Sequence, residues 1–362
     1  MERQQQKGRL VLEHAETYHL AVEACDALFA ALEERYDLYA PVRIPAGGRY
    51  AQTDSVIYRQ VHHFKEIEYR ERSTYPMKEV LTPITQTLFY FTEDEYRESH
   101  GPQKDMLVFG RACDLNSVKI QDQIYLHNGE EEDYFYKRVR DRVKFVLIEC
   151  TSQFDGCFCC SVGANTTDLH SFAVSFRDDG AYFEVPEGEF SAYFAAEEPA
   201  DYEIRFPAEN ELKVNYPIID SIEMANKLKE HPMWKEFDDR CIACGSCTVA
   251  CSTCTCFETT DIVYTQNAHV GERRRTCSSC MVDGFDRVAG GACFRKTTAE
   301  KYRYKILHKV YGYDARFHEG PMCVGCGRCS ARCPELISYP ATLNKLSQAI
   351  EEIKGEGDAH NA

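Results

Sequence analysis

The cysteines are the residues of this chain whose spacing points most directly to chemistry. Two quartets share one pattern, in which three cysteines lie two residues apart and a fourth follows after three more: Cys241, Cys244, Cys247, Cys251 and Cys323, Cys326, Cys329, Cys333. This is the spacing of bacterial two-cluster ferredoxins, where the fourth cysteine of each run binds the other cluster. We therefore predict two [4Fe–4S] clusters, cluster I at site I (Cys241, Cys244, Cys247 and Cys333) and cluster II at site II (Cys251, Cys323, Cys326 and Cys329).

A zinc site is the main alternative for clustered cysteines. Zinc sites favour separated Cys-x2-Cys pairs, and the four-member runs seen here do not fit that pattern. Three glycines lie between the predicted ligands, namely Gly245, Gly325 and Gly327. Glycine lets the backbone approach a cluster closely enough for its N–H groups to bond to sulfur. The sequence therefore favours iron–sulfur clusters over zinc.

A further group of cysteines lies upstream and defines site III: Cys113, Cys150, Cys157 and Cys159. Cys113 and Cys150 each follow a predicted strand, and parallel strands would present both at one sheet edge, beside the loop of Cys157. We predict a candidate third [4Fe–4S] cluster here, with Cys160 as a substitute for Cys159. The alternative is that these cysteines are buried small side chains, as we expect for the isolated Cys25.

The remaining cysteines have no assigned role: Cys254, Cys256, Cys277, Cys280 and Cys293. The first four of them could form a separate zinc or iron site, or pack near cluster I. There is no Cys-x2-Cys-His haem motif and no glycine-rich dinucleotide fingerprint, so we do not expect flavin or NADH to bind this chain. No catalytic triad can be read from the sequence, and we predict no catalytic residue.

The elements that must position these cysteines are predicted from periodicity and turn residues. We predict helices at residues 15–36, 133–142, 220–237 (interrupted near Pro232) and 298–310. Strands are expected at residues 84–91, 106–110 and 143–150, and a hairpin turns at Asp179-Gly180. The fold class is a mixed α/β domain over residues 1–220, followed by a mainly helical two-cluster ferredoxin domain over residues 221–362.

The length, charge and apolar content of the chain limit the classes of function that it can have. The chain has 362 residues, which favours two domains, and its net charge of −16 argues against a nucleic-acid partner. No apolar run approaches the roughly 18 residues of a membrane span, and the polar start lacks the apolar region of a signal peptide. We expect a cytoplasmic protein, because clustered cysteines there bind metal more often than they form disulfides.

Residues 271–310 are unusually basic, with ten Lys or Arg against four Asp or Glu. These cations could offset the negative charge of a thiolate-bound cluster or dock an acidic partner protein. The simpler interpretation is a solvated helix face.

The chain resembles the iron–sulfur subunit of anaerobic sulfite reductases over nearly its whole length. The motifs that carry the resemblance are residues 53–58 (TDSVIY), 83–91 (PITQTLFYF), 111–114 (RACD), 145–150 (FVLIEC), 157–159 (CFC), 271–275 (GERRR), 322–329 (MCVGCGRC) and 333–334 (CP). Ser252, where proline is usual after the fourth cysteine, departs from the family pattern, as do the extra cysteines Cys160, Cys277 and Cys293.

The resemblance implies a relay role within a cytoplasmic complex. A flavoprotein subunit would take electrons from NADH, this subunit would pass them on, and a sirohaem subunit would reduce sulfite to sulfide. The β subunits of sulfur-reducing hydrogenases share the same plan, so a hydrogenase partner is the alternative. A thiol- or metal-dependent redox sensor would need a DNA-binding element, and the acidic charge argues against one. Catalysis by this chain alone is not expected.

Overall fold

The computed structural model describes residues 15–50, 52–151, 153–264, 266 and 269–360. Its strands and helices follow in the order β1 (Ala15–Ala21), α1 (Val22–Glu33), β2 (Tyr36–Ile44), β3 (Ser55–Gln60), α2 (Lys78–Leu81), β4 (Thr85–Phe91), β5 (Tyr96–Glu98), β6 (Asp105–Gly110), α3 (Ala112–Leu126), α4 (Tyr134–Arg140), β7 (Val143–Ile148), β8 (Phe172–Phe176), β9 (Gly180–Pro186), α5 (Ile222–Glu230), α6 (Glu236–Arg240), α7 (Ser246–Val249), β10 (Phe257–Val263), β11 (Gly271–Cys277), α8 (Thr298–Leu307), α9 (Tyr313–Phe317), α10 (Arg328–Ala331) and α11 (Tyr339–His360).

A seven-stranded mixed sheet organises the first part of the chain, in the order β1-β9-β8-β7-β6-β2-β3. Its centre is parallel, because β2, β6, β7 and β8 run the same way. Successive residues of β6 serve two cores: Leu107 and Phe109 pack with α1, whereas Met106 and Val108 pack with α3. A strand covered on both faces needs a continuous apolar run, which is why β6 and β7 lack polar alternation.

A second, four-stranded sheet has the order β10-β11-β4-β5 and is antiparallel throughout. It joins β4 and β5 from the first part of the chain to β10 and β11 from the cysteine-rich part. Residue 220 is therefore not a boundary between sheets. The division into domains at this residue stays a prediction.

The predicted helix over residues 15–36 is wrong in its first third. Residues Ala15–Ala21 form β1, which pairs antiparallel with β9 along its whole length. Tyr18 and Leu20 alternate into the core with strand spacing, although Leu20 also fits the apolar stripe of a helix. The helix starts at Val22, and Leu28, Phe29 and Leu32 do face inward as expected.

The other predicted elements are confirmed within a few residues. Strands β4, β6 and β7 occupy the predicted positions, and β8 and β9 form the hairpin at Asp179-Gly180. Helix α4 begins after Asp133, whose side chain caps it by accepting from the Tyr136 N–H. The helical region near Pro232 is broken as predicted into α5, a 3₁₀ turn and α6.

The last part of the chain packs helices α5, α6, α8 and α11 around a core that includes Trp234, Phe237, Tyr302 and Leu343. The hairpin of β10 and β11 in this part was not expected from the sequence. None of the described helices has both the length and the apolar character needed to cross a membrane.

The basic run at residues 273–275 lies on β11, so its interpretation as a helix face is wrong. Each of the three arginines has a carboxylate partner: Arg273 pairs with Asp261 at 2.7 Å, Arg275 with Asp133 at 2.6 Å, and Arg274 with Glu272. These arginines are thus already paired within the chain.

Candidate metal centres

The four cysteines of site I converge on one cavity, together with Tyr302, Lys305 and Tyr339. Cys241 follows α6, Cys247 lies in α7, and Cys333 follows α10. Burial raises the pKa of the Cys241 thiol, and the nearby thiols of the other three site I cysteines raise it further. Cys244 is exposed, so this site reaches the protein surface.

Site II brings its four cysteines together from two segments of the chain. Burial raises the pKa of the Cys329 thiol, with further contributions from the neighbouring thiols of Cys251, Cys326 and Cys323. The Gly325 N–H donates to the Cys323 sulfur at 3.5 Å. Backbone N–H bonds of this type tune the reduction potential of a cluster. The bond is made by Gly325, one of the three glycines that lie between the predicted ligands.

The loop of site II packs directly on the loop that carries Cys157 and Cys159. Gly325 and Gly327 have φ values of 63° and 71°, in the left-handed region. A Cβ at Gly325 would lie 2.6 Å from the Phe158 carbonyl oxygen, and one at Gly327 would lie 2.4 Å from the Gly156 oxygen. The Phe158 N–H donates to the Gly325 oxygen at 2.7 Å. Only glycine fits this close approach of two cysteine loops.

Site III also forms a group in the structure. Cys113 lies in the first turn of α3 after β6, and Cys150 follows β7, which pairs parallel with β6. The expected meeting of two strand ends beside the Cys157 loop is therefore observed. The buried Asn210 side-chain amide donates to the sulfurs of Cys157 and Cys159, at 3.6 and 3.8 Å.

The thiols of Cys157 and Cys159 are hydrogen-bonded to each other. This bond lowers the pKa of Cys157 to about 6 and raises the pKa of Cys159, so it favours the thiolate at Cys157 only. The Cys160 thiol instead donates to the Pro207 carbonyl at 3.4 Å. This orientation favours Cys159 over Cys160 as the fourth member of site III.

A buried ion pair connects sites II and III. Arg328 Nη1, on the loop of site II, lies 2.8 Å from the carboxylate of Asp114, the residue after Cys113, and both side chains are at most 1% exposed. Arg328 also donates to the Ser73 carbonyl and hydroxyl and to the Ser252 hydroxyl. The serine that replaces the usual proline thus has a buried polar role, 3.6 Å from the Cys326 sulfur.

Two lysines of the basic stretch are buried beside the sites, at 3% exposure each. Lys305 Nζ donates to the Cys247 carbonyl at 3.3 Å, the Thr248 hydroxyl at 3.2 Å and the Cys254 sulfur at 3.5 Å. Lys309 Nζ donates to the Thr253 hydroxyl at 2.7 Å. None of these partners is a carboxylate, and a buried cation requires a nearby negative charge. A thiolate-bound cluster at sites I and II would supply it, so the surroundings fit the predicted group.

Replacement of Lys305 by methionine should lower the reduction potential of the nearest cluster. Loss of one elementary charge a few ångströms away corresponds to on the order of 100 mV at an intermediate effective dielectric. Redox titration of the holoprotein followed by electron paramagnetic resonance measures the shift. Lys301→Met is the control, because Lys301 pairs with the exposed Asp283. Equal potentials in Lys305→Met and wild type would contradict the charge-compensating role.

Three of the remaining thiols, Cys256, Cys277 and Cys280, lie near one another. Cys256 lies against Cys280, whereas Cys254 lies beside Lys305 and Cys251. Among the described residues, no three His, Cys, Asp or Glu side chains meet closely enough to hold a single metal ion. The isolated Cys25 is fully buried and donates to the Leu20 carbonyl, as a packing residue would.

Sequence reasoning missed Asn210, Ser73 and the pair of Asp114 with Arg328. Asp114 and Arg328 each lie next to a predicted ligand, which is the one signal that could have drawn attention to them. Asn210 lies in an irregular segment about fifty residues beyond the thiols that it contacts. No local pattern marks such a residue.

Two comparisons with known proteins bear on the region of sites I and II. Residues 240–337 match the 4Fe-4S dicluster domain family. The chain is also 26% identical over 344 residues to the sulfhydrogenase 2 subunit beta of Pyrococcus furiosus, covering 89% of this chain and 96% of the relative. No solved structure gave a significant match.

The matched domain confirms two of the predictions made from the sequence. The fold class is a mixed α/β region followed by a dicluster region, and the chain holds two [4Fe–4S] clusters. The third cluster and the individual ligand sets stay predictions. The relative is a hydrogenase-type protein, so it agrees with the alternative partner and not with sulfite reductase.

Proposed function

We propose that this chain is the electron-transfer β subunit of a cytoplasmic hydrogenase complex of the sulfur-reducing type. The observation that carries the proposal is the arrangement of twelve cysteines in three adjacent groups. Site III touches site II through the loops at Phe158 and Gly325, and Cys329 of site II borders the cavity of site I. The named relative supports the choice of partner.

The residues of the chain have defined roles in such a relay. When bound, [4Fe–4S] clusters accept and donate single electrons at potentials set by their surroundings. The cysteines of sites I, II and III would hold them, and Asn210 and the Gly325 N–H would bond to the ligand sulfurs. Lys305 and Lys309 would hold positive charge beside sites I and II. The ion pair of Asp114 with Arg328 would fix the spacing of sites II and III.

The surface over site I is the proposed exit to a redox partner. Cys244 is exposed there, Ile242 of the cavity wall is 60% exposed, and Leu336, whose N–H donates to the Cys333 carbonyl, is 82% exposed. Leu336 also has a φ of 51°, an uncommon conformation for a non-glycine residue. Apolar side chains in such a place are typical of the centre of a protein–protein interface.

Leu336→Asp should weaken assembly of the complex without changing the cluster content of this chain. A charge placed at an apolar interface costs about 2 kcal/mol or more, so we expect at least about a thirtyfold loss of affinity. Co-purification of partner subunits with the tagged variant measures the effect. Val288→Asp, at another exposed apolar position, serves as the control. Undiminished assembly with Leu336→Asp would place the interface elsewhere.

A sulfite reductase complex is the second candidate. It is favoured by the motifs at residues 53–58, 83–91 and 111–114, which the sulfite reductase resemblance includes. In that case the partners would be an NADH-oxidising flavoprotein and a sirohaem protein, and the complex would reduce sulfite to sulfide.

The composition of the native complex distinguishes the two. The tagged chain would be purified without oxygen from its own host, and the co-purified proteins assayed for nickel and sirohaem. Nickel, with hydrogen-dependent reduction of the clusters, supports the hydrogenase. Sirohaem, with NADH-dependent sulfite reduction, would show that the complex is a sulfite reductase and not a hydrogenase. Purification with promoter DNA and no redox partner would favour a sensor.

A further inference from the structure

The carboxyl ends of three adjacent parallel strands surround a cavity of about 210 Å³ beside site III. Arg111 follows β6, Glu149 and Cys150 follow β7, and Arg177 follows β8. Tyr69, Arg70, Phe154 and Phe176 complete much of the wall.

Arg111 is the unusual side chain of this cavity. It is 3% exposed, and its guanidinium lies 4.5 Å from the centre of the Phe154 ring. Nη2 donates to the backbone oxygens of Tyr69 at 2.6 Å and Glu71 at 3.2 Å. Nη1 is buried and has no hydrogen-bond partner among the described residues. The positive charge of Arg111 lies near the Cys150 thiol, but the Nη1 donor is left unsatisfied by the described residues.

The other charges of the wall are compensated within the protein. Arg70 pairs with Asp178, and Arg177 donates to Glu149 at 3.3 Å. The Glu149 carboxylate also accepts hydrogen bonds from the Ser175 and Tyr202 hydroxyls and from the Arg205 N–H. Glu149 is therefore already satisfied within the protein. The cavity keeps a net positive character centred on Arg111.

We propose that this cavity binds a small oxyanion, with Arg111 Nη1 as its principal donor and Arg70 and Arg177 flanking it. Guanidinium groups form short, charge-assisted bonds to oxyanions, and the apolar floor of Phe154 and Phe176 strengthens them by excluding water. The ligand would lie beside Cys150 of site III. The inference concerns a binding site and holds whether or not the complex is a hydrogenase.

The test is calorimetric titration of the oxygen-free holoprotein with sodium sulfate, inorganic phosphate and AMP. We expect saturable binding of sulfate or phosphate at one site per chain, weakened about tenfold or more by Arg111→Gln. Arg142→Gln is the matched control, because Arg142 pairs with Asp105 at the opposite end of β6 and β7. Tighter binding of AMP than of phosphate would identify a nucleotide phosphate as the ligand. Weaker binding of AMP than of phosphate would identify a free oxyanion as the ligand.

A second variant distinguishes a loss of anion binding from structural damage at site III. Arg177 is 35% exposed, so Arg177→Gln should fold and should weaken binding severalfold with unchanged iron content. The proposal fails if no anion binds saturably, or if Arg111→Gln and Arg142→Gln bind alike. It also fails if Arg111→Gln loses iron while Arg177→Gln binds sulfate as the wild type does, because Nη1 would then serve the cluster.

Discussion

Replacing Cys329 with serine should remove about four iron atoms per chain and abolish electron transfer through the complex. Cys329 is buried at the centre of site II, and its pKa is raised first by burial and then by the thiols of Cys251, Cys326 and Cys323. A serine oxygen is a poor ligand for iron in this setting, since clusters are held by thiolates. Iron and acid-labile sulfide analysis of the purified variant measures the loss.

Cys25→Ser is the matched control for this change. Cys25 is also buried, but its thiol donates to a backbone carbonyl, and a serine hydroxyl can do the same. We expect wild-type iron content in this variant. Full iron content and wild-type electron transfer in Cys329→Ser would contradict the assignment of Cys329 to site II.

Asp114→Asn should destabilise the folded chain by about 3–5 kcal/mol. The change leaves the Arg328 guanidinium buried without its counter-charge, and that loss costs far more than an intact pair contributes. The effect should be visible as a lower midpoint of urea-induced unfolding, followed through the fluorescence of Trp234 and the absorbance of the clusters. Because the pair joins sites II and III, cluster absorbance should be lost at the lower urea concentration as well.

Asp261→Asn removes a carboxylate from an Asp–Arg pair that is exposed, with both side chains more than 40% accessible. Exposed pairs contribute about 0–1 kcal/mol, so this variant should unfold close to the wild type. Equal midpoints for Asp114→Asn and Asp261→Asn would show that the buried pair does not stabilise the junction of the two sites.

Much of the architecture follows from local sequence signals. The apolar runs of β6 and β7 and the turn at Asp179-Gly180 predict strands and a hairpin, because few other structures satisfy such patterns. The cysteine spacing likewise predicts which thiols meet at sites I and II. The strand ends at Cys113 and Cys150 correctly place these residues at one edge.

What the sequence could not show depends on contacts between distant segments. Strand β1 was missed because its apolar residues also fit a helical stripe, and only pairing with β9 decides the matter. The pairing of β4 with β11 joins residues at least 180 positions apart, which no local pattern encodes. The basic stretch is one feature in the sequence, yet Arg273 is exposed on β11 and Lys305 is buried beside sulfur.

We propose that three clusters form one continuous path through both parts of the chain. Iron and acid-labile sulfide per chain, measured on protein purified without oxygen, tests it most directly. We predict about twelve iron atoms and about twelve sulfides, as three [4Fe–4S] clusters require. About eight of each would contradict the claim, since the path would then be confined to sites I and II and the thiols of site III would serve another purpose.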